Sequence, residues 1–141
     1  MAEKVLVTGG AGFIGHMFIK QLIDETDYEV ISLDRLDYSG NLNRISDMMK
    51  DYDEVTQKRV KIIHHDLKAE INNLVATQIG DISHFFHIAA SSHVDRAIED
   101  PMNFVMDNVV ATCNALNFSR LLDNLETFVY FSTDEVFGPA N

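Results

Sequence analysis

The stretch "VTGGAGFIG" at residues 7–15 sets Gly9, Gly12 and Gly15 at three-residue intervals between an apolar run and an amphipathic one. Such a turn joins a strand to a helix with little room to spare. Gly9 suits the tight bend, Gly12 lets a diphosphate approach the backbone, and Gly15 lets helix and strand pack closely. The N–H groups around Phe13 and Ile14 then point at the anion. A glycine trio can also merely connect a strand to a helix, so its meaning depends on its surroundings.

Outward from that turn, short apolar runs alternate with longer amphipathic stretches. "KVLVT" (4–8), "EVISLD" (29–34), "VKIIHHD" (60–66), "HFFHIAA" (84–90) and "FVYFS" (128–132) read as strands. They are β-branched and aromatic without strict alternation, as strands covered on both faces should be. Between them, Ile14, Met17, Phe18 and Leu22 are expected to share a helical face. So are Ile71, Leu74 and Val75, and Val105, Val109, Cys113 and Leu116. Pro101 opens the last and longest helix, expected to run to about residue 122. "YSGNLNR" reads as a turn into a short helix and "MMKDYDEVTQKR" as a polar connector. Strand and helix in alternation imply right-handed β-α-β units. The expected fold is a Rossmann-type doubly wound parallel α/β sheet, five strands in the order 3-2-1-4-5. With no repeat or linker in view, residues 1–141 read as one dinucleotide-binding domain.

Asp34 lies 19 residues after Gly15, at the end of the second strand, where a carboxylate accepts both hydroxyl protons of an adenosine ribose. The alternative is a solvated strand-end residue. The same carboxylate would repel a 2′-phosphate, which favours NAD over NADP, while the adjacent Arg35 works against that preference. Arg35, Leu36 and Asp37 continue the cofactor-binding loop. Asp66 and Leu67 end the third strand near the expected adenine, although Asp66 can equally cap a helix before "LKAEINNL". "HIAASS" supplies small residues where the middle of the cofactor must pass: Ile88, Ala89, Ala90, Ser91 and Ser92. Tight packing alone would also explain them.

Composition narrows the partners. The 22 acidic and 11 basic residues give a net charge of -11, which repels nucleic acid. A single cysteine, Cys113, forms no internal disulfide, and no stretch has the length or purity of a membrane span. "MAEKVLVTGG" lacks the apolar core of a signal peptide, so a reducing cytoplasm is expected. His64, His65, His84, His87 and His93 are scattered over strands and loops, and no metal site is expected.

Taken together, "TGGAGFIG", "SLDRLDYSGNL", "HIAASSHVDRAIEDP" and "STDEVFG" resemble the extended short-chain dehydrogenase/reductases that act on nucleotide sugars, nearest to the dTDP-glucose 4,6-dehydratases. The resemblance runs over the whole chain. It implies that NAD takes hydride from sugar C4, that water leaves across C5 and C6, and that hydride returns to C6. It casts Asp134 as the acid for the C6 hydroxyl, Glu135 as the base for the C5 proton, and Thr133 and Ser92 as substrate contacts. One protonated and one ionised carboxyl are needed, and neighbouring acids in a partly buried cleft repel each other's charge. Without the resemblance, a solvated acidic turn is the plainer reading.

Two residues depart from the family pattern: Ser91 stands where an acidic residue is usual, and Asp107 where a threonine often approaches the cofactor. The family also needs a tyrosine with a lysine four positions later. Four positions after Tyr28, Tyr38, Tyr52 and Tyr130 come Ser32, Leu42, Thr56 and Asp134. The sequence therefore predicts a cofactor half with the first catalytic cluster, without the substrate domain, and inactive alone. Homodimerisation through the long helix and the open edge of the fifth strand is expected. An epimerase or decarboxylase of the same family, or a non-catalytic dinucleotide-binding module, remains the alternative.

Overall fold

In the computed structural model, which describes residues 3–138, β1 (Lys4–Thr8) is the middle strand of a five-stranded parallel sheet. β2 (Glu29–Asp34) and β3 (Val60–His64) extend it on one side. β4 (His84–His87) and β5 (Thr127–Tyr130) extend it on the other. The order is β3-β2-β1-β4-β5, the one expected from the sequence. Val5, Leu6, Val7 and Thr8 are all buried, because successive side chains of a central strand enter opposite layers and both layers are filled.

On one face, α1 (Phe13–Glu25) and α2 (Leu42–Met49) cover the sheet. Ile19, Leu22, Ile23, Ile45 and Met49 pack there on Val5, Val7 and Val30. A one-turn helix, α3 (Glu54–Gln57), lies inside the expected polar connector. On the other face are α4 (Asn73–Ile79) and a long helix that follows the short α5 (Val94–Glu99). The long helix comprises α6 (Pro101–Val105), a π-turn (Met106–Val110) and α7 (Ala111–Ser119). Pro101 occupies its first turn, and the Asp100 side chain caps it by accepting from Asn103 N–H. Leu6, Ile31, Leu33, Ile63 and Phe85 form the core of this second layer with Ile79, Ala111, Ala115 and Phe118.

Three helical faces differ from the sequence expectation. On α1 the buried set is Gly15, Ile19, Leu22 and Ile23, whereas Ile14 and Met17 are exposed. Apolar residues surround most of this helix, so periodicity alone does not choose the inward side; Gly15, which lets the helix sit on the Gly9–Gly10 loop, does. Phe18 packs edge-on against Phe86 and Phe131, with ring centroids 4.8 and 5.6 Å away. On the long helix, Val105, Val109, Cys113 and Leu116 face outward, and the small Ala111 and Ala115 face the sheet. The four therefore share a face, as expected, but it is the outward one, and a π-turn interrupts the helix between Met106 and Val110. In the third group Ile71 precedes α4, Leu74 is exposed, and Val75 is buried with Ile79. The long helix stops at Ser119, and β3, β4 and β5 end earlier than the apolar runs that encode them. No helix among the described residues is long and apolar enough to cross a membrane.

Candidate functional site

The carboxyl ends of the strands surround a crevice of about 470 Å³. Its floor begins at the glycine turn. Gly9 adopts φ +71° and donates its N–H to Leu33 O at 2.9 Å. A Cβ there would lie 2.8 Å from the Cα of Ala89. At Gly15 an added Cβ would fall 2.1 Å from Gly9 O, so the first turn of α1 sits directly on the loop. Gly12 occupies the N-cap of α1, where no side chain caps the helix and no acidic residue occupies the first turn. Phe13, Ile14 and Gly15 thus begin a 13-residue helix with N–H groups that lack an intrahelical partner and carry the positive end of its dipole. The cradle suits a diphosphate.

Asp34 is buried beside this cradle and is not a solvated strand end. Its Oδ2 accepts from Ala11 N–H at 3.0 Å and its Oδ1 from Leu36 N–H at 2.8 Å. Each oxygen retains a further acceptor site, enough for a vicinal diol. Leu36 itself has φ +56°, a left-handed conformation that a leucine rarely adopts. Asp37 accepts from Ser39 N–H and Oγ–H and pairs with Arg35 Nε at 2.6 Å. Partial burial raises the Asp37 carboxyl, but these bonds outweigh it and hold the group below its ordinary range. Asp66 does not cap a helix: its Oδ1 accepts Lys68 N–H in a local turn, and Asn72 caps α4.

Asp107, within the π-turn, joins three loops of the crevice. Arg35 donates two bonds to it, at 2.5 and 2.9 Å, Ser91 Oγ donates a third at 2.6 Å, and Lys68 Nζ lies 3.6 Å away. Burial alone would raise the Asp107 carboxyl, and the Arg35 and Ser91 bonds overcome it and hold the group below the usual range. Arg35 is correspondingly held well above its own. The neighbouring Asn108 accepts Ser91 N–H and donates to Ser91 O. Two successive helix residues therefore grip one loop residue.

A second relay runs under Ile88 and Ala89. Thr8 Oγ1 accepts both their N–H groups and lies 2.7 Å from His87 Nδ1. His87 Nε2 lies 3.0 Å from Thr112 Oγ1, whose proton goes to Asn108 O. Only a neutral imidazole protonated on Nε2 satisfies every partner, with Thr8 donating to Nδ1. Burial accordingly pushes His87 down to about 4.

The structure brings Gly9, Gly12, Phe13, Ile14 and Gly15 to the same crevice as Asp34, Arg35 and Asp37, Asp66 and Leu67, Ile88 to Ser92, and Thr133. Leu36 contributes its N–H to Asp34 without lining the crevice. Asp134 and Glu135 stand beyond the rim, both exposed, on the single-turn 3₁₀ helix Asp134–Phe137. The partly buried setting expected for the acid pair is not supplied by the described residues. Arg44 escapes a motif reading. It lines the crevice from α2 and donates to Ala11 O and Ser39 O, contacts that exist only once two loops have closed.

The sheet order and the glycine cradle define a Rossmann-type α/β protein. The sequence model of the GDP-mannose 4,6 dehydratase family matches residues 6–141, and the chain belongs to that family. A dTDP-glucose 4,6-dehydratase of Salmonella typhimurium is 36% identical over 145 residues, covering 96% of this chain and 38% of the relative. The chain thus spans well under half the length of the curated relatives it matches. Among solved structures, DesIV, a dTDP-glucose 4,6-dehydratase of Streptomyces venezuelae crystallised with NAD, has a TM-score of 0.81 at 36% identity, covering 98% of this chain and 42% of that one. The UDP-Glc/GlcNAc 4-epimerase of Campylobacter jejuni has a TM-score of 0.82 at 26% identity, covering 97% of this chain and 39% of that one.

Proposed function

We propose that this chain is the NAD-binding portion of a nucleotide-sugar 4,6-dehydratase, similar to those acting on dTDP-glucose. One observation carries the reading: the uncapped N-terminus of α1, the Asp34 carboxylate and the Asp66–Leu67 loop line a single crevice that continues to Thr133. The cradle would hold the diphosphate, Asp34 the adenosine ribose, and Asp66 with Leu67 the adenine. NAD, when bound, supplies the acceptor and donor of hydride that the dehydration requires. Thr133 and Ser92 would hydrogen-bond the sugar, Asp134 would protonate the departing C6 hydroxyl, and Glu135 would receive the C5 proton. The adjacent acid pair of "STDEV" favours a dehydratase over an epimerase.

These 141 residues contain no tyrosine followed by lysine at the fourth position, so the reading has them bind cofactor without turning over substrate. It also places the protein in the cytoplasm and assembles it as a homodimer. Calorimetric titration with NAD is expected to give saturable binding, weakened about tenfold to a hundredfold in Asp34→Asn. A product-forming assay with dTDP-glucose is expected to remain at background. Absence of NAD binding would overturn the cofactor assignment, and multiple turnovers would overturn the predicted inactivity.

A further inference from the structure

Alternation along β2 sends neighbouring residues to opposite layers of the molecule. Val30 packs on the α1 side and Asp34 bonds Ala11 there, whereas Ile31 and Leu33 pack on the side of α4 and α7. Arg35 follows the second set. Its guanidinium is drawn to the π-turn, where it meets both oxygens of Asp107, whose side chain is only 3% exposed. Arg35 Nε is taken by Asp37. Arg44, the other guanidinium lining the crevice, is engaged by the carbonyls of Ala11 and Ser39. Lys68 lies between Asp66 and Asp107, 3.5 and 3.6 Å from their oxygens. The cation nearest in sequence to the ribose-binding carboxylate therefore lines the same crevice, but its guanidinium is held by Asp107 and Asp37.

We propose that Asp107 is a specificity-determining residue for the cofactor: by clamping Arg35 against the long helix it withholds from the adenosine 2′ position a guanidinium able to grip a phosphate, and so enforces NAD over NADP. The inference rests on the NAD reading above. Asp34 supplies repulsion toward a 2′-phosphate; the clamp removes the compensating attraction that Arg35 would otherwise offer from the next residue. A planar guanidinium is well matched to a phosphate in two-point contact, which makes its whereabouts decisive. The clamp is built from non-local parts, the β2 loop, the β4 loop through Ser91 and the π-turn, so it acts on selectivity without belonging to any glycine or ribose motif.

The test is the ratio of NAD to NADP affinities, measured by calorimetry on the parent chain, Asp107→Asn, Arg35→Ala and the double variant, with folding checked by circular dichroism. The parent is expected to prefer NAD. In Asp107→Asn the preference should fall by about tenfold or more, mainly because NADP binds better, and the double variant should lose that gain because the released cation is gone. A folded Asp107→Asn with an unchanged ratio, or a gain that persists without Arg35, would overturn the proposal. If Asp107→Asn does not fold, Asp107→Ser, which keeps an acceptor for Ser91, is read in the same way. A parent chain that binds neither dinucleotide refutes the cofactor reading and the clamp with it; a parent that binds NAD while the variants keep its ratio refutes the clamp alone.

Discussion

At Gly15 one methyl group decides whether the cradle can exist. A Cβ there would lie 2.1 Å from Gly9 O and 2.8 Å from the Cα of Gly10, both backbone atoms that cannot step aside. Gly15→Ala is expected to lower stability by about 1–3 kcal/mol or more, read from the urea midpoint, and to abolish NAD binding by opening the loop. An unchanged midpoint would mean that the loop is softer than its geometry implies. Gly9 and Gly15 were legible in the sequence because their roles are backbone roles, imposed by the absence of a side chain. Asp34 was legible in position but not in partnership. Its bond to Ala11 N–H depends on where the glycine loop comes to rest, which spacing alone does not encode.

Among the elements, β4 and the long helix are joined through His87, buried between Thr8 and Thr112. The folded chain keeps this imidazole neutral down to about pH 4, whereas an unfolded histidine titrates near about 6.5. Between those values the unfolded chain binds a proton that the folded one refuses. The contribution is therefore complete above about pH 6.5 and is lost as the pH falls toward 4. The expected loss from about pH 7.5 to 5 is about 2 kcal/mol. Denaturation midpoints across that range should show it, and His87→Gln should flatten the dependence; equal slopes in the two proteins would refute the assignment. The five strands were legible from their apolar runs, yet the helical faces were not. Alanines at 111 and 115 look indifferent in a hydrophobicity pattern and are the residues that let α7 approach the sheet.

At the scale of the whole molecule, the order β3-β2-β1-β4-β5 is the simplest one for a doubly wound sheet that opens on a glycine turn, although strand–helix alternation alone also admits 2-1-3-4-5; the exposed setting of Asp134 and Glu135 was not legible. Ile98, Met102, Val105, Val109 and Leu116 leave an apolar band along α5 to α7, and β5 is bonded only to β4 among the described residues. Light scattering over a concentration series should therefore find twice the chain mass, and Val109→Asp should shift it toward the monomer. A strict monomer at every concentration would count against the homodimer. The central place of β1 has a further consequence for how the protein is born. Thr8 must wait for His87, 79 positions later, before its second edge can be bonded. At ribosomal rates of about 5–20 residues per second that interval is roughly 4–16 s, during which β1 can zip only to β2. The nascent chain must shelter a half-finished sheet until its fourth strand emerges.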